Sequence, residues 1–339
     1  MAGLDLGVVP EAHRQAVVSA LDGAFGPGGA SAIAVVGGGA SGALTYRVEA
    51  PPGAHLVRVE TIRGPLRNPH QYACMQIAAD AGVAPPIRFV DDAAGVVVLP
   101  FIEQRPLTDH PGGAEGAAAE VAGLLRRLHD APTFAAHGDH LENLGRLVGF
   151  LGGSGRVGPG LLDRHREGFE RIRAAYPWQP ETFVSAHNDP NQFNLLYDGD
   201  RVWLIDWETA SRNDPFIDLA TACSHLAPTD ELRDHVLGTY LGRPPGAVDR
   251  ARLSIMGSLV QLFAGCILLT IVVDPTVLTH SDLTPLPLAE FGAAIERGDL
   301  VPGTPRATHA FAKIMLGSFL DTLATPAFDD ALRVVSSGH

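Results

Sequence analysis

One short segment constrains the fold of this 339-residue chain more than any other part of its sequence. Residues 194–197 and 202–205 are each predicted as a strand, and the Asp-Gly-Asp sequence between them favours a tight hairpin turn. Asp189 and Asn194 stand before this hairpin, and Asp206 stands directly after it. Because a hairpin returns the chain to where it started, we expect Asp206 to lie beside Asn194. The sequence therefore predicts a cluster of carboxylate and amide oxygens at the open end of one hairpin.

This cluster has the chemistry that phosphoryl transfer to a hydroxyl requires. Such a reaction needs one group that orients the nucleophile and oxygen ligands that hold Mg²⁺. A single Asp in such a position is most often a turn residue or a helix cap, but the ordered set on a hairpin favours a catalytic loop. A metal-dependent phosphohydrolase using His187, Asp189 and Asp206 would need more clustered histidines than the sequence contains.

The order of predicted elements indicates an α+β protein. Strands are predicted at Ala32–Val36, Leu44–Glu49, His55–Glu60, Ile87–Val90 and Val96–Phe101, with helices at 11–25 and 69–81. After Arg105 the pattern is mostly helical, and predicted helices cover 112–130, 161–175, 216–226, 230–241, 248–273, 287–297 and 307–323. The sequence from Leu151 to Gly160 is predicted as a glycine-rich connection.

A glycine-rich sequence, GGGASG at residues 37–42, allows three interpretations. It matches the GxGxxG pattern of dinucleotide-binding folds, and Glu60 stands about 20 residues further on, where a ribose-binding acid is expected. However, that fold requires a helix after the loop, whereas residues 43–50 favour a strand that ends before two prolines. A strand–loop–strand lid over nucleotide phosphates, or a plain turn, agrees better with the sequence.

Composition excludes several classes of protein. The formal net charge is −13, which argues against a nucleic-acid partner and favours a small, even cationic, substrate. Lys313 is the only lysine, so no Walker A loop exists. The three cysteines are far apart along the sequence, which supports neither a disulfide framework nor a Cys-ligated zinc site.

No signal-peptide pattern opens the chain, and its longest apolar run, residues 258–273, is shorter than the ~20 residues of a spanning helix. We therefore expect a cytoplasmic protein without a membrane partner, either monomer or homodimer.

Three sequence blocks resemble the aminoglycoside phosphotransferase and choline kinase superfamily, whose members have a bilobal protein-kinase-like fold. They are His187-x-Asp189-x4-Asn194, Leu-Ile-Asp206-Trp-Glu208, and Asn213-Asp214-Pro-Phe-Ile-Asp218. The resemblance implies a small sheet with one helix in an N-terminal nucleotide-binding lobe, residues 1–103, and a helical C-terminal lobe, residues 104–339. It further implies an ATP- and Mg²⁺-dependent kinase of a small-molecule hydroxyl.

The same resemblance implies a role for each site residue. Asp189 would be the catalytic base, with His187 and Asp218 bracing its loop, and His187 is a better candidate for a structural role than for proton transfer. Asn194 and Asp206 would bind Mg²⁺, and Glu208 would either touch the metal or a water or be an exposed acid. The lid would use Gly37, Gly38, Gly39 and Ser41, and the hinge would pair adenine with the Pro100 carbonyl and the Ile102 N–H.

Two features depart from the usual family pattern. Arg58 stands where a lysine of the third strand usually holds the ATP phosphates, which favours the choline/ethanolamine-kinase-like branch, although an exposed strand arginine is the alternative. No glutamate occurs in the predicted helix at 69–81, so the polar partner of Arg58 could be either Gln71 or Glu60.

Few aromatic residues and no tryptophan follow residue 220, although a quaternary ammonium group is usually bound by an aromatic cage. This composition argues against choline itself and leaves amino alcohols, aminoglycosides and sugars as acceptors.

Two alternatives to a small-molecule kinase remain at this point. The missing lysine and glutamate permit a non-catalytic nucleotide-binding protein with a kinase fold, although the presence of Asp189, Asn194 and Asp206 argues against it. An NAD(P)-dependent oxidoreductase is disfavoured by the short segment that follows the glycine-rich loop.

Overall fold

The computed structural model describes residues 4–37, 42–61, 68–138, 140–272, 274 and 282–337. Its contacts divide the chain into two compact units. The first unit combines Met1–Ala136 with Val184–Arg212, and the second combines His137–Phe183 with Asn213–His339. These units differ from the predicted lobes 1–103 and 104–339, because the hairpin segment is hydrogen-bonded to residues of the N-terminal region. The lobe boundary itself stays a prediction.

The first unit consists of a five-stranded sheet, two two-stranded sheets and three helices. The helices are α1 (Glu11–Phe25), α2 (Gln71–Asp80) and α3 (Gly113–His129). The strands are β1 (Ala32–Val35), β2 (Leu44–Ala50), β3 (Gly53–Val59), β4 (Phe89–Asp91), β5 (Val96–Pro100), β6 (Val184–Ala186), β7 (Leu195–Tyr197), β8 (Val202–Leu204) and β9 (Ser211–Asn213), whose last residue is assigned to the second unit. The large sheet is antiparallel with the order β1-β2-β3-β5-β4.

Alternation along β3 decides which side chains of the sheet enter its core. Val57 and Val59 are fully buried and pack in one cluster with Val17 and Leu21 of α1. Arg58, between the two valines, lies on the opposite face because successive side chains of a strand alternate. The predicted division of these residues between two faces is confirmed.

The predicted hairpin forms, and its strands are tied to the loop after α2. β7 and β8 pair antiparallel, with Leu196 opposite Trp203. The Leu204 N–H donates to the Val83 carbonyl at 3.0 Å, and the Arg201 guanidinium donates to the Gly82 carbonyl. The hairpin is therefore fixed against the sheet region rather than projecting from it.

The second unit is helical and is organised around one long helix. Its helices are α4 (His140–Gly153), α5 (Asp163–Ala175), α6 (Pro215–Leu226), α7 (Asp230–Leu241), α8 (Ala247–Ile271), α9 (Leu288–Glu296), α10 (Pro305–Leu323) and α11 (Pro326–Ser337). α8 packs against α4, α6, α10 and α11. Gly265 lets α8 and α10 approach closely, since a Cβ there would lie 2.7 Å from the Leu316 side chain.

α8 is also long and apolar enough to cross a membrane by length and composition, with a mean hydropathy of 2.0 in its most apolar window. The same composition occurs in the core helix of a globular domain. Among its buried residues, Met256, Leu262 and Cys266 are fully enclosed by neighbouring helices. The packing of α8 agrees with the predicted core helix.

Several elements differ from the sequence expectations. α4 and α11 were not predicted, and residues 151–153 of the expected glycine-rich connection form the last turn of α4. In α11 the apolar residues Phe328, Leu332 and Val335 follow helical spacing, so this signal was present in the sequence. β6 and β9 were also missed; each has three residues, and unlike β7 and β8 they have no hairpin turn between them that marks the pair.

Candidate active site

The catalytic-loop candidate Asp189 is held by two neighbouring amides. The side chain of Asn191 donates to one carboxylate oxygen at 2.8 Å, and that of Asn194 donates to the other at 3.1 Å. Asn194 also donates to the Asp189 main-chain carbonyl at 2.9 Å. These contacts fix both the loop and the direction of the carboxylate. A general base needs such a fixed direction, because it must lie within hydrogen-bond reach of the hydroxyl whose proton it accepts.

His187 is fully buried and is held at both ring nitrogens. Its Nε2 lies 2.9 Å from the Ile205 carbonyl oxygen, and its Nδ1 lies 3.3 Å from the Asp189 N–H. A carbonyl accepts and an N–H donates, so the neutral ring carries its proton on Nε2 and accepts at Nδ1. His187 thus joins the Asp189 loop to the end of the hairpin.

Asp206 adopts a backbone conformation that is unusual for a non-glycine residue. Its φ is 67° and its ψ is 74°, in the left-handed region, and Asn188 on the facing loop also has a φ of 67°. The side chain of Asn188 donates to the Thr209 carbonyl at 2.7 Å and to the Ser211 hydroxyl at 2.8 Å. Strained residues of this kind persist where surrounding contacts hold them, and they are concentrated at functional sites.

The hairpin brings Asp206 and Asn194 together, as the sequence predicted. The Ile205 N–H, one residue before Asp206, donates to the Asn194 carbonyl at 3.0 Å. Since the Asn194 side-chain nitrogen faces Asp189, its amide oxygen is the atom that could bind a metal; this oxygen accepts no hydrogen bond from the described part of the chain. Among the described residues, no group of three or more His, Cys, Asp or Glu side chains could hold a metal ion by itself.

Arg58 reaches from β3 to the residues that follow the hairpin. Its guanidinium donates to Glu208 in a close contact and to Asp206 at 3.2 Å. Its side chain is only 12% exposed, so it is not a surface arginine of the sheet. Glu208 is 19% exposed and Asp206 is 32% exposed, and both therefore approach the cation in a partly dehydrated environment.

The segment that carries Glu208 is anchored to the start of α2 by Asn68. The Asn68 N–H donates to the Glu208 carbonyl at 2.8 Å, and its side-chain amide donates to the Ala210 carbonyl. Asn68 is 1% exposed. Gln71 and Glu60 were the two predicted partners of Arg58. They are both buried and are hydrogen-bonded to one another, with Gln71 donating to Glu60 at 3.0 Å.

The predicted hinge, Leu99 to Gln104, begins with the last two residues of β5. The Phe101 N–H donates to the Ala54 carbonyl at 3.0 Å on the β3 side, and the Val98 carbonyl accepts from Arg88 on the β4 side. Because the Phe101 N–H points to the β3 side, the Pro100 carbonyl of the same peptide points to the β4 side, beyond the last β4 pairing. This carbonyl therefore has the orientation that contact with a planar base would need. Ile102 follows the end of β5, and the adenine contact of its N–H stays a prediction.

Comparison with known proteins identifies the family of this chain. The model of the APH phosphotransferase enzyme family matches residues 32–253, well over half of the sequence. The chain belongs to the APH phosphotransferase family. A 54-residue segment is 41% identical to protein LicA of Haemophilus influenzae, and it covers 16% of this chain and 20% of that protein.

Solved structures show the fold of this APH family member. A choline/ethanolamine kinase family protein from Mesorhizobium loti superimposes with a TM-score of 0.67 at 22% identity, over 96% of this chain and 99% of that one. A spectinomycin phosphotransferase, solved with ADP and spectinomycin, has a TM-score of 0.56 at 11% identity, over 89% and 98% of the two chains. The predicted α+β, protein-kinase-like fold is confirmed, and so is the predicted phosphotransferase class.

The APH family member has a strand where a dinucleotide-binding fold needs a helix. Residues after the glycine-rich loop form β2, which pairs antiparallel with β1, and this arrangement excludes the dinucleotide-binding interpretation. Gly37 is exposed at the end of β1, whereas Gly38, Gly39 and Ser41 of the predicted lid lie outside the described residues. The lid stays a prediction.

Asp218 is assigned to a different unit from the other predicted catalytic and metal-binding residues. It is fully buried in the first turn of α6, which belongs to the second unit. Its predicted role in bracing the catalytic loop stays a prediction, and so does the metal role of Glu208.

Sequence reasoning missed three asparagines of the site, namely Asn188, Asn191 and Asn68. The Asn191 side chain accepts from the Phe193 N–H at 2.8 Å. Asparagine side chains commonly accept from the N–H two residues further on in turns, so this contact could have been predicted from the sequence. Asn68 had no comparable local signal, because its partners Glu208 and Ala210 are about 140 residues away along the chain.

Proposed function

We propose that this APH family member is an ATP- and Mg²⁺-dependent kinase that phosphorylates a hydroxyl of a small molecule. The observation that carries the proposal is the Asp189–Asn194 contact at the open end of the β7–β8 hairpin, with Asp206 adjoining. We infer that the Asp189 carboxylate serves the acceptor hydroxyl and that Asn194 and Asp206 each offer an oxygen to the metal.

The nucleotide would lie between the hinge and Arg58. The Pro100 carbonyl and the Ile102 N–H supply one acceptor and one donor, which suits the edge of adenine. Arg58 supplies a cation for the phosphates, and its guanidinium can contact them through two parallel hydrogen bonds. The ADP complex of the spectinomycin phosphotransferase agrees with a nucleotide site in this fold.

Asn194 and Asp206 fit Mg²⁺ by their chemistry. Mg²⁺ prefers oxygen ligands, uses few from the protein and completes its shell with water and phosphate oxygens. One amide oxygen and one carboxylate are therefore sufficient. When bound, the ion would neutralise charge on the phosphates.

In the proposed reaction, Asp189 accepts the proton of the acceptor hydroxyl. The hydroxyl oxygen forms a bond to the γ-phosphorus, the bond between that phosphorus and the β–γ bridging oxygen breaks, ADP leaves, and the hydroxyl proton goes to Asp189. His187 does not compete for this proton, because its Nδ1 already accepts from the Asp189 N–H and its Nε2 carries a proton.

We further propose an amino alcohol as the acceptor, with aminoglycosides and sugars as the competing classes. The acidic net charge of −13 favours a cationic substrate, and the Mesorhizobium loti neighbour is described as a choline/ethanolamine kinase family protein.

The test is a panel of ethanolamine, choline, other amino alcohols, aminoglycosides and sugars, incubated with the enzyme, radiolabelled ATP and Mg²⁺. We expect acceptor-dependent ADP release with label transferred to one class, lost in Asp189→Asn. ATP binding without transfer to any class would favour the non-catalytic alternative. Absence of ATP binding would contradict the proposal entirely.

A further inference from the structure

The strand cation of this chain has a carboxylate partner in an unexpected part of the sequence. Arg58 stands on β3, and it donates to Glu208, which lies 150 residues further along the chain. In α2, the helix that follows β3, there is no glutamate, the one acid Asp80 accepts from Gln76, and Gln71 donates to Glu60.

We infer that Glu208 positions Arg58 for the nucleotide phosphates, and that Asp206 is left for the metal. This inference rests on the proposed kinase function. It assigns to Glu208 a role different from that of a metal ligand.

The two carboxylates near Arg58 differ in exposure. Both accept from the same guanidinium nitrogen, but Glu208 is 19% exposed whereas Asp206 is 32% exposed. Mg²⁺ and a guanidinium on the same carboxylate repel each other, so separate carboxylates for the two cations are favoured. The more exposed carboxylate, Asp206 beside Asn194, is therefore the one that we assign to the metal.

The main chain at Glu208 and Ala210 is held by Asn68, independently of Arg58. Asn68 ties the Glu208 carbonyl and the Ala210 carbonyl to the start of α2. Glu208 therefore presents its carboxylate from a fixed point, and an arginine held at such a point loses less conformational freedom when phosphate arrives.

The same contacts allow an opposite behaviour, in which Glu208 competes with the phosphates for Arg58. Removal of the Glu208 charge distinguishes the two. Loss of a carboxylate near a triphosphate should by itself improve the binding of metal-free ATP, because it removes a repulsion. A loss of affinity instead requires that the carboxylate act through Arg58.

The experiment is calorimetric titration of Glu208→Gln, Arg58→Met and the double variant with ATP in EDTA, with Mg·ATP, and with adenosine. We expect each single variant to bind both forms of ATP about 10-fold more weakly, a free-energy change of about 1.4 kcal/mol, and the double variant to bind no worse than Arg58→Met. Glu208→Asp should recover part of the loss. Adenosine affinity should be unchanged, which shows that the variants fold.

Matched controls are Asp234→Asn and Arg250→Met, which break an exposed pair of the second unit joined by two 2.7 Å contacts. They should leave every titration unchanged. Tighter binding of metal-free ATP by Glu208→Gln, or a loss confined to Mg·ATP, would overturn the inference. Neither result would affect the kinase proposal, which depends on transfer and its loss in Asp189→Asn.

Discussion

Asn194 donates its side-chain amide to both the main-chain carbonyl and the carboxylate of Asp189, at 2.9 and 3.1 Å. One side chain thus connects the proposed base to the proposed metal site. The amide nitrogen faces the base, and the amide oxygen is available to a cation. The two functions are coupled by geometry, so a change at Asn194 should disturb both.

Asp189→Ala should abolish phosphoryl transfer with little effect on nucleotide affinity, because the carboxylate acts on the acceptor hydroxyl. We expect turnover to fall by about 10²- to 10⁴-fold. Steady-state kinetics with the acceptor found in the panel, together with ATP titration, would measure both effects. The exposed turn residue Asp200 offers a control, and Asp200→Ala should retain wild-type turnover. Wild-type turnover in Asp189→Ala would show that the base is assigned wrongly.

Asp206→Asn and Asn194→Ala should weaken Mg·ATP far more than metal-free ATP. Both changes remove an oxygen ligand or its charge from the proposed metal site. Titration with and without Mg²⁺ separates the two affinities. An equal loss in the two conditions would argue against the metal assignment, and a loss of adenosine binding as well would indicate misfolding.

Arg252→Met should destabilise the second unit strongly. Asp214 is 2% exposed and accepts from the Arg252 guanidinium and from the Tyr176 hydroxyl, at 2.8 and 2.9 Å. Removal of the arginine leaves a buried carboxylate without its counter-ion, which costs about 3–5 kcal/mol. Urea unfolding would measure the loss.

The neighbouring Arg250→Met makes a matched control for this prediction. Arg250 binds Asp234 with similar distances, but both side chains are more than one-third exposed. An exposed pair contributes about 0–1 kcal/mol. Equal destabilisation by the two variants would contradict the role of burial.

Stability should fall as the pH is lowered through the range of an ordinary histidine. Burial lowers the pKa of His165, which is 3% exposed and lies with its Nε2 3.2 Å from the Leu316 carbonyl. The unfolded state then binds a proton near pH 6.5 while the folded state stays neutral. The contribution of neutral His165 to the free energy of unfolding is complete above pH 6.5. Below pH 6.5 it falls by up to about 1.4 kcal/mol per pH unit, until the pH reaches the pKa of His165 in the folded state.

Urea unfolding at pH 7.5 and 5.5 checks this dependence. His165→Gln should lose part of the pH dependence, whereas His235→Gln, at an exposed position of α7, should keep it. An unchanged pH dependence in His165→Gln would show that other groups cause it.

The sequence alone predicted most helices, the hairpin and the cluster at its open end. These features depend on residues that are close along the chain. Asp189, Asn194 and Asp206 lie within 18 residues, and one hairpin is sufficient to bring them together. The burial of Val57 and Val59 opposite Arg58 followed equally from strand alternation, which is a local property.

Only the tertiary structure decided which acid meets Arg58 and what holds that acid in place. Glu208 and Arg58 are 150 residues apart, and no periodicity or spacing relates them. Asn68, which anchors the Glu208 segment, is separated from it by a similar length of chain. Such contacts depend on how the hairpin packs against the sheet region and α2. Local sequence determines which groups stand at a turn, whereas the packing of distant segments determines which of those groups become partners.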